Sequence, residues 1–219
     1  MGDFHPAVEE YLETIYELEE AGVVPMRARI VERLGVSAPS VSETVKRLER
    51  EGYLTLDESK AMVLTETGRK YATDIVRRHR LAERLLVDVL RVPWHQVHEE
   101  ACRLEHAISD NLESHLIALL GDPATCPHGN PIPGSANASP HVPTVSLAKA
   151  TDGAATEVRR IDEQLETDGR AMLLLEENDL MPGSAVTVRG RAGGGVAVTT
   201  SAGEVAVPDD VAALVYVLA

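Results

Sequence analysis

Residues 26–50 read MRARIVERLGVSAPSVSETVKRLER. Two helices joined by a tight turn fit this stretch. Met26–Leu34 closes at Gly35, the residue type that most easily takes the left-handed conformation ending a helix. Ser37 is a candidate N-cap, and Ala38-Pro39-Ser40 follows it, where proline is tolerated. The second helix runs to about Glu51 and turns Val41, Val45 and Leu48 inward at helical spacing. Helix, glycine turn and helix form the DNA-binding supersecondary unit. Its six bases (Arg27, Arg29, Arg33, Lys46, Arg47, Arg50) face three acids (Glu32, Glu43, Glu49). Arg27, Lys46, Arg47 and Arg50 suit phosphate contacts. Ser37, Pro39, Ser40 and Ser42 stand where a recognition helix meets base edges. Small hydroxyls and proline offer few bidentate base contacts, so readout of DNA shape is expected to carry much of the specificity.

Working outward, residues 5–20 place Ala7, Val8, Tyr11, Leu12, Ile15, Tyr16 and Leu18 in a helical pattern that Gly22 and Pro25 end. This first helix is acidic: Glu9, Glu10, Glu13, Glu17, Glu19 and Glu20 with no base from 9 to 20. Past Gly52, Tyr53–Leu56 and Met62–Thr65 flank Asp57-Glu58-Ser59-Lys60 and read as a two-stranded wing. Residues 1–73 are therefore expected to be a winged helix-turn-helix. Glu66–Leu90, Trp94–Ser109 and Asp110–Leu120 read as helices, giving a helical domain over 74–134. Most prolines fall in 121–147, and 135–149 reads as a linker. The period then shortens. Glu157–Ile161, Ala185–Arg189, Val196–Thr200 and Val211–Leu218 look like short strands, and Met172–Asp179 like one helix or turn. Residues 150–219 are expected to form a small SH3-like barrel. The fold class is mainly α with small β.

The 219 residues are 44% hydrophobic but only 3% aromatic, so the cores rest on Leu, Val, Ile and Ala. No apolar run reaches the length of a membrane span, and no secretion signal is legible at the start. Cys102 and Cys126 are read as free thiols, and a reducing cytoplasm is expected. The net charge of −14 argues against nucleic acid taken alone. A basic helix-turn-helix beside an acidic helix should bind DNA poorly until a cation neutralises the acids.

Metal-ligand side chains recur at helical spacing. His79 and Glu83 are four apart, as are His98 and Cys102, and Cys102-Arg103-Leu104-Glu105-His106 follows. Residues three and four apart share a helix face, so His98, Cys102, Glu105 and His106 would line one stripe. Imidazole, thiolate and carboxylate together suit a borderline divalent transition metal. His5, His95, His115, His128 and His141 lie near termini, turns or the linker and are read as structural, as is the Cys126/His128 pair. A metalloenzyme would need an open coordination position and a base in a pocket, for which the helix-turn-helix gives no reason. A regulator answering to an organic effector, with the His/Cys/Glu set merely packed, is the other rival.

With these residues in view, the sequence resembles the diphtheria toxin repressor family of metal-dependent transcriptional repressors, which includes iron-dependent and manganese-transport regulators. The resemblance is carried by Tyr11–Glu20, Arg27–Ile30, Arg78–Leu86, Val97–His106 and Gly129-Asn130-Pro131-Ile132-Pro133-Gly134. It covers most of 1–134, and 150–219 only in outline. It implies a homodimer on double-stranded operator DNA, no enzymatic activity, and two sites per subunit for Mn(II) or Fe(II). The primary site would use Glu10, Cys102, Glu105 and His106. The ancillary site would use His79, Glu83 and His98 with Glu163 and Glu166. Glu10 stands where iron regulators carry Met, and Glu166 where they carry Gln. Both shifts favour Mn(II), whereas Cys102 matches the iron branch. Glu13 also matches an acidic position of the manganese branch, and its role as a ligand stays open. Glu43 stands where Gln is usual, which puts the target sequence rather than the fold in question.

Overall fold

The computed structural model describes residues 6–138 and 142–219, so His5 and His141 lie outside the described residues. The chain divides into two compact bodies. Among the described residues, one comprises 6–78 with 105–107, and the other 79–104 with 108–138 and 142–219.

The first body is the winged helix-turn-helix. Helix α1 (Pro6–Glu20) buries Val8, Tyr11, Leu12, Ile15 and Leu18. Helix α2 (Arg27–Leu34) ends at Gly35, whose φ of 64° and backbone N–H, donating to the Val31 carbonyl, close the last turn. In α3 (Ala38–Arg50) the Ser37 hydroxyl accepts from the Ser40 amide at 3.4 Å, so the N-cap is realised. Val41, Val45 and Leu48 face inward and leave the opposite side of α3 to solvent. Strands β1 (Leu54–Leu56) and β2 (Met62–Leu64) pair antiparallel, Leu54 opposite Leu64, and make the wing. Its turn is stapled by Asp57, which accepts from the Ser59 hydroxyl at 2.8 Å and the Ala61 amide at 2.9 Å.

Helix α4 (Glu66–Arg84) belongs to the first body up to Arg78 and to the second from His79. Where one helix to Leu90 is expected, the last turn, Leu85–Val89, widens to a π-type turn. The stretch read as one helix over 94–109 is in three pieces: a 3₁₀ turn at Trp94–Gln96, α5 (Val97–Leu104), and a second 3₁₀ turn at Glu105–Ala107. Helix α6 (Asp110–Leu120) has Ser109 as N-cap and a left-handed Gly121 as terminator.

The rest of the second body is a six-stranded antiparallel sheet in the order β3-β8-β4-β5-β6-β7. Its strands are β3 (Thr144–Ser146), β4 (Ala155–Ile161), β5 (Ala185–Ala192), β6 (Gly195–Thr200), β7 (Gly203–Pro208) and β8 (Val215–Leu218). Short helices α7 (Glu163–Glu166), α8 (Gly169–Glu177) and α9 (Asp209–Leu214) complete it. The core joins Val158, Ile161, Val186, Val188, Val196, Val198, Val215 and Val217 with Trp94 and Leu175. Two expectations change here. The linker stretch 135–149 contains β3 and a 3₁₀ turn at Leu147–Lys149, because Val145 pairs with Val217 and Leu147 is buried. The strand expected over Val211–Leu218 begins only at Val215. Asp209 and Asp210 after Pro208 favour a helix start, and Ala212-Ala213-Leu214 are strong helix formers.

Candidate metal centres

In the first body, Glu9 of α1 is buried and its Oε2 lies 2.5 Å from His106 Nδ1. Its other oxygen accepts from the Tyr71 hydroxyl at 2.9 Å. Burial and this bond to Glu9 push the Tyr71 phenol up to about 12. The Glu105 carboxylate is buried too, with Oε1 3.4 Å from His106 Nε2. His106 thus has a carboxylate at each ring nitrogen. The acid expected here was Glu10, but Glu10 is exposed. Neighbouring helical residues point about 100° apart, and the burial of Val8, Tyr11, Leu12 and Ile15 fixes the phase that brings Glu9 inward. Of the primary-site residues, Glu105 and His106 belong to the first body and Cys102 to the second.

The second body gathers a denser set. The ligand atoms of His79, Glu83, His98 and Glu166 all lie within 4.8 Å of one another, and so do those of His79, His98 and Cys102. His79, Glu83 and Glu166 are buried. Glu83 Oε1 is 3.4 Å from His79 Nε2 and 3.8 Å from His98 Nδ1, while Glu166 Oε2 is 3.3 Å from His98 Nδ1. Cys102 Sγ is 3.6 Å from His98 Nε2. Burial alone would raise the Cys102 thiol, but hydrogen bonds from His79 and His98 bring it down to about 7. Burial likewise opposes ionisation of Glu83, and the adjacent His128 overrides it and holds the carboxyl well below its usual range.

Both Glu83 oxygens, His98 Nδ1, His128 Nδ1 and Glu166 Oε2 are buried and form no well-aligned hydrogen bond, although His128 Nδ1 lies 3.0 Å from Glu83 Oε1 and 2.9 Å from Glu166 Oε2. Buried polar atoms without partners cost about 1–3 kcal/mol each. Two imidazoles and two carboxylates gathered on one buried point are what a cation requires once the imidazoles give up their protons, so these residues fit a divalent metal.

Glu163, expected beside Glu166, is elsewhere. It takes both arms of the buried Arg80 guanidinium, Nε to Oε1 at 3.0 Å and Nη2 to Oε2 at 3.1 Å. Burial raises this carboxyl, but Arg80 outweighs it and brings it down to about 2. A carboxylate already neutralised by a fixed guanidinium is a poor metal ligand, so the structure supports Glu166 and not Glu163 in the cluster.

His128 and Cys126, read as structural from the sequence, stand against Glu83. The ligand atoms of Glu83, Cys126 and His128 lie within 4.8 Å of one another, and all three residues are buried. Burial, reinforced by Glu83, pushes the Cys126 thiol up to about 12. The only sequence signal was a Cys and a His two apart, directly before Gly129-Asn130-Pro131. The loop is held by Arg84, whose Nε donates to the Thr125 carbonyl at 2.7 Å, and by Trp94, whose Nε1 donates to the Pro127 carbonyl at 3.1 Å. Gly129 has φ +87°, and a Cβ there would lie 2.1 Å from the Arg159 carbonyl oxygen. Gly129→Ala is therefore expected to destabilise the protein by about 3 kcal/mol. Chemical denaturation would show it, and a change under 1 kcal/mol would mean that the loop gives way freely.

His95 pairs with Glu176 Oε2, and His115 Nδ1 lies 2.7 Å from the Asn111 carbonyl oxygen, both local structural roles. Of the residues expected to face DNA, Ser37, Pro39, Ser40, Lys46 and Arg50 are exposed, and Arg27, Ser42 and Arg47 are half-buried. Two acids of α1 are tied to bases of the same body, Glu17 to Arg33 at 2.9 Å and Glu19 to Arg69 at 2.5 Å. The acidity of α1 is thus partly neutralised internally, and less remains for a cation to offset than the sequence suggested.

Comparison with known proteins agrees with this organisation. Residues 3–62 match the family model for the iron dependent repressor N-terminal DNA binding domain. Residues 65–134 match the iron dependent repressor metal binding and dimerisation domain, and 145–219 the FeoA domain. The chain is 42% identical over 227 residues to the iron-dependent repressor IdeR of Mycobacterium tuberculosis, covering 99% of each. It is 44% identical over 202 residues to the diphtheria toxin repressor of Corynebacterium diphtheriae, covering 88% of each. Among solved structures, a manganese-dependent transcriptional repressor in complex with manganese superposes with a TM-score of 0.85 at 32% identity, covering 97% of this chain and 99% of that one. No described helix is long and apolar enough to cross a membrane. A helix-turn-helix with its recognition face open, buried imidazole–carboxylate clusters and whole-length likeness to repressors lead to one conclusion: the chain belongs to the diphtheria toxin repressor family of metal-dependent transcriptional repressors.

Proposed function

We propose that this protein binds operator DNA as a homodimer when a first-row divalent metal occupies its buried ligand clusters, and that it controls genes of metal supply in the cytoplasm. The observation that carries the reading is the convergence of His79, Glu83, His98 and Glu166 on a buried point, with several of their polar atoms unbonded. Val89, Leu90, Leu112 and Leu119 remain exposed in the stretch that matches the dimerisation model, and this apolar surface supports self-association.

The metal supplies positive charge that holds His106 with the carboxylates of its body, and the histidines and carboxylates of the second. Such binding favours one arrangement of the DNA-binding helices over others, a population shift set by differential affinity. Glu105, His106 and an acid of α1 are the switch ligands in this reading. His79, Glu83, His98 and Glu166 are the supporting ligands.

The sequence favours Mn(II) through Glu10 and Glu166. With Glu10 exposed, only Glu166 of that pair stands in a ligand cluster, and it stands there with Glu83 and the imidazoles of His79 and His98, which the Cys102 thiol also adjoins. Nitrogen and sulfur donors raise the preference for Fe(II) over Mn(II). Fe(II) is therefore the leading activator, and the Mycobacterium tuberculosis relative is named an iron-dependent repressor. Mn(II) is the second reading, favoured by the Glu9 and Glu105 carboxylates at the His106 ring.

The test is anaerobic titration of a duplex selected from random sequence, with Fe(II), with Mn(II) and with chelator. Fe(II) is expected to activate at the lower concentration, and affinity should fall steeply with salt, since phosphate contacts carry much of it. Undiminished affinity in chelator would overturn metal activation, and activation by Mn(II) first would reverse the metal preference.

A further inference from the structure

We propose that the cavity beside α5 is the passage by which a hydrated divalent cation enters and leaves the His79–Glu83–His98–Glu166 group, and that Gly169 keeps this passage wide. The inference rests on reading that group as a metal centre and adds to it a route and the residue that sets its rate.

A buried ligand set needs a path from solvent. The two ligands from α4, His79 and Glu83, have side chains only 2% and 0% exposed, which closes the cluster on their side. The His98 side chain is 16% exposed. Together with Cys102 and Glu166 it lines a cavity of about 510 Å³. A shell of six waters needs on the order of 200 Å³, at roughly 30 Å³ per water, so an ion fits with its hydration intact. At the inner end His98 Nδ1 and Glu166 Oε2 are 3.3 Å apart, and they form the first pair of donors to replace water on the ion. His79 and Glu83 complete the exchange behind them.

Two walls define the passage. One is α5 with the Trp94–Gln96 turn before it. That turn is tied to α8, because the His95 ring pairs with Glu176 Oε2 and the His95 N–H donates to the same oxygen at 3.4 Å. The opposite wall is the junction of α7 and α8, with Thr167 and Gly169. Asp168 caps α8 by accepting from the Arg170 and Ala171 amides at 3.0 and 3.1 Å, which fixes Gly169 at the cavity. A Cβ at Gly169 would meet no atom within 4 Å, so the space beside it is open and a side chain there would occupy the passage. On the rim, the exposed Glu99 and Glu100 share one base, Arg103. The negative charge left over draws cations to the mouth. Gly169 supplies no ligand atom. Filling its space therefore slows entry and exit by the same factor and leaves the equilibrium where it was.

The experiment uses the full-length protein with Co(II) as probe. Trp94 is the sole tryptophan, its ring lies 4.8 Å from that of His128, and His128 Nδ1 is 3.0 Å from Glu83 Oε1. Co(II) entering the cluster is expected to quench its fluorescence. Stopped-flow mixing then reads loading, and a chelator chase reads release. Gly169→Ala should behave as the wild type, Gly169→Leu should be slower, and Gly169→Phe at least tenfold slower in both directions, with the dissociation constant changed less than twofold. A second readout needs no metal. Cys102 lines the cavity whereas Cys126 is 1% exposed, so a thiol reagent added to metal-free protein should label Cys102, and more slowly in the same order of variants. Wild-type loading and release in Gly169→Phe would overturn the passage and leave the metal centre standing, whether or not thiol labelling slows. Weaker binding with unchanged loading would overturn it too, since the side chain would then act on the ligands and not on the route. No Co(II) bound by the wild type would overturn the metal-centre reading and this inference with it.

Discussion

Replacing His106 with alanine is expected to lower metal-activated operator affinity by about 100-fold, the upper part of the range for a coupling free energy of 1–3 kcal/mol. His106 belongs to the same body as the helix-turn-helix, and its ring lies between Glu9 and Glu105. Removing the imidazole removes the group through which a cation could hold the Glu9 end of α1. The two carboxylates it separated would also be left facing each other in a buried place. His79→Ala acts in the other body, where Glu83, His98 and Glu166 remain as ligands. Its loss is expected to be about tenfold. The comparison is made by gel shift on one duplex across a metal titration, with the fold of each variant checked by circular dichroism. Equal losses from the two variants would show that the two clusters are ranked wrongly.

Glu163→Ala is expected to destabilise the protein by about 3–5 kcal/mol, because it strands the fully buried Arg80 charge. Arg80→Met should cost less in the Glu163→Ala background than in the wild type, since the unpaired charge is then gone, and the double-mutant cycle measures that coupling. The pair also sets an acid limit. The Glu163 carboxyl is held at about 2, below its ordinary 4.5. A carboxyl depressed in the folded state stabilises fully above its unfolded value and loses that contribution as pH falls through its folded value. Wild-type stability should therefore decline between about pH 4.5 and 2, and more steeply than that of Glu163→Ala. Denaturant titrations across that window test it. Parallel pH profiles would mean that Arg80 is satisfied by other partners, such as the Pro131 carbonyl to which its Nη1 also donates.

The site residues show where sequence reasoning stops. Spacing along one helix is a local property, so His79 with Glu83, and His98 with Cys102, could be paired from the sequence alone. The phase of a helix is less secure. An offset of one residue turns a side chain by about 100°, and only the packing of α1 chose Glu9 over Glu10 to meet His106. Glu163 and Glu166 are both acids on one short helix, and the difference between them lies in a partner 83 residues away, Arg80. Cys126 and His128 offered no periodicity, because loops have none. Their donors meet Glu83 only after the loop is fixed to Arg84, Trp94 and the Arg159 backbone.

The residues themselves determined the winged helix-turn-helix: Gly35, the Ser37 cap, the inward Val41, Val45 and Leu48, and the wing turn at Asp57 act within a few positions of one another. They also determined that imidazole, thiolate and carboxylate groups would line helix faces. The tertiary structure decided which of those groups converge. It placed Glu166 among the histidines and gave Glu163 to Arg80. It turned residues 209–214 into a helix before β8, and it brought Cys126 and His128 to the buried cluster. The physical reason is that capping, turn geometry and helical periodicity are short-range, whereas a buried ligand set is made by side chains from distant elements that meet only when the cores close.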